Sequence, residues 1–251
     1  MDLSAYFDRV GYTGDASPTL KTLVRLHTGH AYNIPFENLD VYAGKTISLA
    51  PDALFDKLVT RRRGGYCFEM NGLFTLVLRE IGFEPRQLLA RTAFLNTYSA
   101  LLHEVIVVQA EDGYTYLCDV GYGNDGLSTP ILRSLDGERA EFEDDKYRFT
   151  YDANYGYVLS RYKDGCFSPM YAFADNGCVP DDFEVANHYT STHPQSFFRQ
   201  QRFATKPTPS GRITLTENRL KIVDGGAVAE REVSGEKELA ELFLKYFGLT
   251  L

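Results

Sequence analysis

The chain has 251 residues, 44% hydrophobic and 24% charged, with a formal net charge of −8. That acidic balance excludes a general nucleic-acid binder, which needs basic surface to displace counterions, and no apolar run approaches the ~18 residues of a membrane span. The opening MDLSAYFDRV lacks the basic and apolar regions of a signal peptide, so the four cysteines, with no CxxC pair among them, are expected to be reduced thiols of a cytoplasmic protein.

The first third reads as helical. Ser17 and Pro18 have the form of an N-cap followed by proline at the first helical position. Leu20, Leu23, Val24 and His27 then fall on one face. Pro51 opens a second helix with Leu54, Phe55, Leu58 and Val59 inward. A third covers residues 67–81, with the stripe Phe74, Val77, Leu78 and Ile81, and Gly82 ends it. After Pro85 come strands rich in Val, Ile, Leu and Tyr over 87–94, 102–110 and 114–120. Aromatic strands over 147–151, 155–162 and 170–174 continue what reads as an antiparallel barrel or sheet. Residues 212–216, 219–223 and 228–233 alternate as a three-strand meander, and Leu239, Leu242, Phe243 and Tyr246 mark a closing helix. The expected class is α+β in three units: a helical bundle over 1–84, a central antiparallel β-barrel over 85–188, and a small α/β unit over 189–251.

The chemistry centres on residues 61–71, RRRGGYCFEMN. Cys67 follows a double glycine and starts a helix, where unpaired N–H groups and the positive dipole end favour an anion. A thiolate gains from both, and Arg61, Arg62 and Arg63 add positive charge nearby, so its pKa is expected to fall. A buried core cysteine is the alternative, free cysteine being among the most buried residue types. Acyl chemistry also needs an imidazole and a group that orients it. His103 begins one predicted strand and Asp119 ends the next. A two-residue turn at Asp112-Gly113 would set them on opposite faces. A three-residue loop with Gly113 left-handed pairs 110 with 114 and 105 with 119, and makes them diagonal neighbours on one face. Read singly, His103 is equally a core histidine and Asp119 a turn residue. Asn71, one helical turn after Cys67, is placed either to hydrogen-bond Asp119 or to face solvent. Glu37 is placed either to pair with Arg63 and hold the glycine turn or to be solvated. Neither HExxH nor a phosphate loop is present, and no metal is expected.

Taken together, residues 34–40 (IPFENLD), 62–74 (RRGGYCFEMNGLF), His103 before its strand, 119–123 (DVGYG) and 187–197 (NHYTSTHPQSF) with 211–215 (GRITL) resemble the arylamine N-acetyltransferase family. The resemblance spans essentially the whole chain. It implies a helical bundle, a β-barrel and an α/β lid around a cysteine-protease-like Cys-His-Asp core. It implies Cys67 as nucleophile, His103 as base and Asp119 as its orienting acid, supported by Arg63, Glu37 and Asn71. Phe36, Phe68 and Tyr122 match substrate-pocket positions, and Leu102, Tyr122 and Gly123 match positions beside the coenzyme. Acetyl-CoA is the implied acyl donor, and a small aromatic amine or hydrazine the implied acceptor. The chain departs from the family in Leu101-Leu102 where a polar pair is common, in Tyr122 for Phe, in Asn124 for Gly, and in lacking tryptophan. It also ends at Leu251, short of the usual bacterial length, which is expected to leave the cleft more open.

The implied reaction is ping-pong: thioester attack by Cys67, an acetyl-cysteine, then attack by the amine with His103 accepting its proton. The Cys67 N–H at the helix start would hold the oxyanion. The rival readings are a related amide synthase acting on carrier- or CoA-bound chains, a transglutaminase- or peptidase-like enzyme, and a non-catalytic member.

Overall fold

Helix α1 (Leu3–Val10) is capped by the Asp2 carboxylate on the Ala5 N–H and closed by left-handed Gly11. Helix α2 (Leu20–Asn33) starts two residues later than the Ser-Pro signal predicts. Thr19 Oγ1 accepts the Thr22 N–H at 3.2 Å and is the N-cap, leaving Pro18 outside. Its buried face carries Thr22, Leu23, Leu26, His27, His30 and Ala31. A two-residue strand β1 (Phe36–Glu37) and a single turn α3 (Leu39–Tyr42) follow. Pro51 opens α4 (Pro51–Phe55), which widens into a π-type turn over Asp56–Thr60. Helix α5 (Cys67–Ile81) has the predicted bounds and the predicted left-handed Gly82 stop. The structure, a computed structural model, describes all residues except 95, 96, 124, 137, 143 and 144, and only the backbone of 138–142 and 145. Asn124, one of the departures above, therefore lies outside the described residues.

Strands β2 (Arg86–Phe94), β3 (Thr97–Tyr98), β4 (His103–Gln109), β5 (Thr115–Cys118), β6 (Ile131–Leu132), β7 (Glu138–Phe142), β8 (Asp145–Asp152), β9 (Gly156–Lys163) and β10 (Cys166–Phe173) form an antiparallel sheet in the order β6-β5-β4-β2-β10-β9-β8-β7, with β3 paired to β2. It is a curled half-barrel, where the sequence predicts a barrel. Alternation along β4 divides two cores. Val105 and Val107 enter the barrel interior with Leu117, Leu159 and Tyr171. Ile106 and Val108 face the helices with Leu73, Phe74 and Val77 of α5.

Two helices then appear that the sequence reading did not predict: α6 (Pro180–Thr192) and the single turn α7 (Phe197–Gln200). The expected barrel limit at residue 188 falls inside α6. Strands β11 (Phe203–Thr208), β12 (Gly211–Thr216), β13 (Arg219–Asp224) and β14 (Ala227–Glu232) make a second antiparallel sheet, and β1 adds to its edge through Phe36↔Thr205. The predicted three-strand meander is thus the outer part of a five-stranded sheet. Helix α8 (Gly235–Leu242) and a π-type turn over Phe243–Phe247 cover it with Leu239, Leu242, Phe243 and Phe247. Among the described residues no helix is long and apolar enough to cross a membrane.

Candidate active site

The β4–β5 hairpin sets the site's register. Gln109 pairs with Thr115 and Ile106 with Cys118, and the Ala110 N–H donates to the Tyr114 carbonyl at 2.9 Å. Gly113 has φ +82°. This is the three-residue loop with a left-handed glycine, so His103 and Asp119 share a face as the bulged register predicts. His103 Nε2 lies 2.8 Å from Asp119 Oδ2, both side chains being buried. With the carboxylate accepting, Nε2 carries the proton and Nδ1 is the basic nitrogen. The imidazole ring sits 5.3 Å from the ring centroids of both Tyr122 and Tyr171.

Asp119 is held from three more sides. Asn71 Nδ2 donates to its Oδ1 at 3.0 Å and the Gly121 N–H does so at 2.9 Å. Its own N–H donates to His27 Nε2 at 3.1 Å. Burial alone would raise this carboxyl. His103, Asn71 and the Gly121 N–H together outweigh it and hold the acid below its ordinary value. Asn71 also donates to the Glu104 carbonyl at 2.6 Å and accepts the Val120 N–H at 3.0 Å, so one buried amide ties α5 to both strands.

Cys67 opens α5 beside these strands. Gly121 fits only because it lacks a side chain: a Cβ there would lie 2.8 Å from Cys67 Cα and 3.0 Å from its carbonyl oxygen. Cys67 is 3% exposed, and its sulfur lies 4.0 Å from the Leu102 carbonyl oxygen. The expected depressed pKa is not found. Burial pushes the Cys67 thiol well up, and the Glu104 and Asp119 carboxyls add to it, against hydrogen bonds from the Glu104 and Phe68 backbone. The arginines expected to help are engaged elsewhere. Arg63 Nη2 binds Glu37 Oε1 at 2.8 Å, Arg61 binds Asp56 at 2.7 Å, and Arg62 turns through φ +51°.

Beneath the glycine turn lies a buried ion network. Lys57 Nζ contacts Glu69 Oε1 at 2.7 Å and Asp40 Oδ2 at 2.9 Å. Glu69 Oε2 accepts the Tyr66 N–H at 3.2 Å, fixing the start of α5. Gly64 lies so close to the Pro35 carbonyl and to Glu37 that a Cβ would sit 2.1 Å and 2.6 Å from them. Glu37 thus pairs with Arg63 and holds the turn, as one of its two sequence readings has it.

Cys67, His103 and Gly121 open onto a cavity of about 360 Å³ whose other walls include Phe36, Leu102, Tyr122, Phe197 and Phe198. Thr92, Ser99, Thr190 and Gln195 supply polar edges. Phe68, expected in this pocket, instead lines a separate cavity, because a step of one residue turns a helix by ~100°. Gly123 also lies off the thiol cavity: its carbonyl accepts from Arg212 Nη1 at 2.9 Å. The sequence reading missed Gly121, His27 and the Lys57 network. It marked residues 187–197 for resemblance alone, without seeing that Tyr189, Thr190, Gln195, Ser196 and Phe197 wall the cleft.

Fold and sequence together place the chain among the acyltransferases. Residues 19–251 match the N-acetyltransferase family. The arylamine N-acetyltransferase of Mycolicibacterium smegmatis is 35% identical, over all of this chain and 93% of that protein. The solved structure of the Mycobacterium tuberculosis enzyme superposes with a TM-score of 0.93 at 34% identity, covering 98% of this chain and 93% of that one. A Mycobacterium marinum arylamine N-acetyltransferase in complex with CoA gives 0.92 at 32% identity, covering 98% and 92%. The chain belongs to the arylamine N-acetyltransferase family.

Proposed function

We propose that this acyltransferase moves an acetyl group from acetyl-CoA to an aromatic amine or hydrazine through an acetyl-Cys67 intermediate. The observation that carries the reading is the His103–Asp119 pair, 2.8 Å apart, in a cleft shared with the Cys67 sulfur. The likeness to a CoA-bound relative supports the donor. The cleft suits it, with apolar walls for an aromatic ring and hydroxyl and amide edges for a pantetheine arm.

Burial raises the Cys67 thiol, so in this reaction its proton leaves as the bond forms. The sulfur attacks the thioester carbonyl carbon while His103 Nδ1 takes the thiol proton, and Asp119 stabilises the imidazolium. The Cys67 backbone N–H at the helix start stabilises the oxyanion. The carbon–sulfur bond to CoA breaks, and His103 returns the proton to the leaving thiolate as CoA-SH. An amine nitrogen then attacks acetyl-Cys67, His103 accepts the N–H proton, and the cysteine departs as thiol. Aromatic amines fit because at neutral pH their lone pair is free.

Intact mass spectrometry after mixing with acetyl-CoA, without acceptor, tests this. One acetyl adduct is expected on the wild type and none on Cys67→Ala. An adduct retained in Cys67→Ala, such as one on Cys118, overturns the assignment. Loading by longer acyl thioesters but not by acetyl-CoA replaces it with the amide-synthase reading.

A further inference from the structure

The seam between α5 and β4 has a cavity on each side. Cys67 and His103 open onto one. The residues that follow them, Phe68 and Glu104, open onto the other, of about 480 Å³. One side of it is apolar, with Leu49, Leu54, Leu76, Leu88 and Phe183 joining Phe68. Volumes and linings of this kind characterise small-molecule sites, in which a few polar groups fix orientation. The polar lining is Arg79, Arg86, Gln87, Glu184 and Glu104, and of these the buried carboxyl is Glu104. Glu104 is 1% exposed, and its Oε1 accepts from Gln87 Nε2 at 2.8 Å. Among the described residues no hydrogen bond reaches Oε2.

We propose that this second cavity binds an uncharged, largely apolar molecule with a carbonyl head, of the aryl-carboxamide class, which accepts a hydrogen bond from Glu104 and seats its ring between Phe68 and Leu76.

The charge pattern selects the head group. A buried carboxyl without a cation is held neutral. Burial lifts Glu104 to about 8, Asp119 adds to the rise, and Gln87 and Arg79 oppose it. At neutral pH the acid is therefore a donor through Oε2–H. An ammonium would have to expel that proton beside Arg79, whose Nη2 already donates to Gln87 Oε1 at 3.2 Å. A carboxylate would face Glu184 in the same wall, and Arg86 is already paired with Asp175 at 2.6 Å, which leaves Arg79 as its one guanidinium partner there and makes benzoate the stringent control. A carbonyl needs neither change.

Benzamide is the probe, with benzylamine and benzoate as charged controls, titrated into the full-length protein by ligand-observed NMR and located by crystal soaking. Benzamide is expected in the Glu104 cavity, in the millimolar range ordinary for so small a ligand. Leu76→Phe fills the cavity and Glu104→Leu removes the donor. Each is expected to weaken binding about tenfold, while Glu104→Gln, which keeps a neutral donor, stays within about threefold. Thermal melts establish that each variant is folded. The proposal is overturned if benzamide density appears only in the Cys67 cleft, if folded Leu76→Phe and Glu104→Leu bind as tightly as wild type, if a charged control binds more tightly, or if benzamide does not bind at millimolar concentration.

Discussion

Lys57 offers the sharpest test of what holds the glycine turn. It is 6% exposed and bridges Glu69 and Asp40, while Glu37 beside them is taken by Arg63. Lys57→Met keeps the length and apolar stem of the side chain but strands two buried carboxylates. Removing one partner of a buried pair costs about 3–5 kcal/mol, mostly as the penalty of the charge left behind. Asp40 keeps Lys45 at 2.8 Å, so the loss falls chiefly on Glu69, which burial already pushes up and Lys57 pulls down. The expected loss is thus about 3 kcal/mol. Glu69→Gln in the same chain removes the stranded charge and keeps an oxygen for the Tyr66 N–H. The double variant should therefore be more stable than Lys57→Met alone by about 1–2 kcal/mol. Urea denaturation followed by far-UV circular dichroism measures all four corners of the cycle. A loss below about 1 kcal/mol for Lys57→Met, in the range of an exposed ion pair, would refute the reasoning, as would a double variant weaker than either single one.

Three further predictions concern the site. Asn71→Ala removes the donor to Asp119 and the acceptor for the Val120 N–H, and is expected to lower kcat/KM for acetyl transfer about 100-fold in steady-state assays at unchanged fold, while Asn71→Gln fails to restore it because the amide is displaced. Gly121→Ala drives a Cβ into Cys67 backbone atoms that cannot yield, and should lose about 2 kcal/mol in denaturant melts and slow acetylation of the sulfur. Burial pushes His27 down to about 4, so the unfolded chain takes up a proton there before the folded one does. Its stabilisation is whole above about pH 6.5 and is lost as pH falls towards 4, roughly 3 kcal/mol across that window, and His27→Gln should flatten that limb of a stability–pH curve.

Much of this was legible because it follows from local rules. The bounds of α5 follow from a double glycine, an apolar stripe and Gly82. The register that joins His103 to Asp119 follows from where Gly113 sits in its loop. The unpredicted pieces lack such signals. The buried face of α6 includes Asn187, Thr190 and Ser191, so apolar periodicity is absent even though Pro180 stands at its start and Asp182 accepts the Val179 N–H at 2.9 Å. Strand β1 is two residues long and exists only because β11 lies beside it, 165 or more residues later in the chain order of contacts such as Phe203 N–H to Asn38 Oδ1.

The sign of the Cys67 shift was the informative error. Three adjacent arginines read as a positive field at the thiol, but charge acts through distance and not through sequence. Each guanidinium or its backbone turns to a partner that only folding supplies: Asp56 for Arg61, the Arg9 guanidinium for the Arg62 carbonyl, Glu37 for Arg63. What the fold sets around the sulfur instead are acids, the buried Glu104 carboxyl on the adjoining strand and the Asp119 carboxylate beyond His103. Burial and these acids together push the Cys67 thiol up. In the proposed reaction its proton passes to the imidazole, and Asp119 stabilises the charge that the ring acquires. In that proposal the same carboxylate that discourages a free thiolate favours a proton transfer coupled to acyl attack.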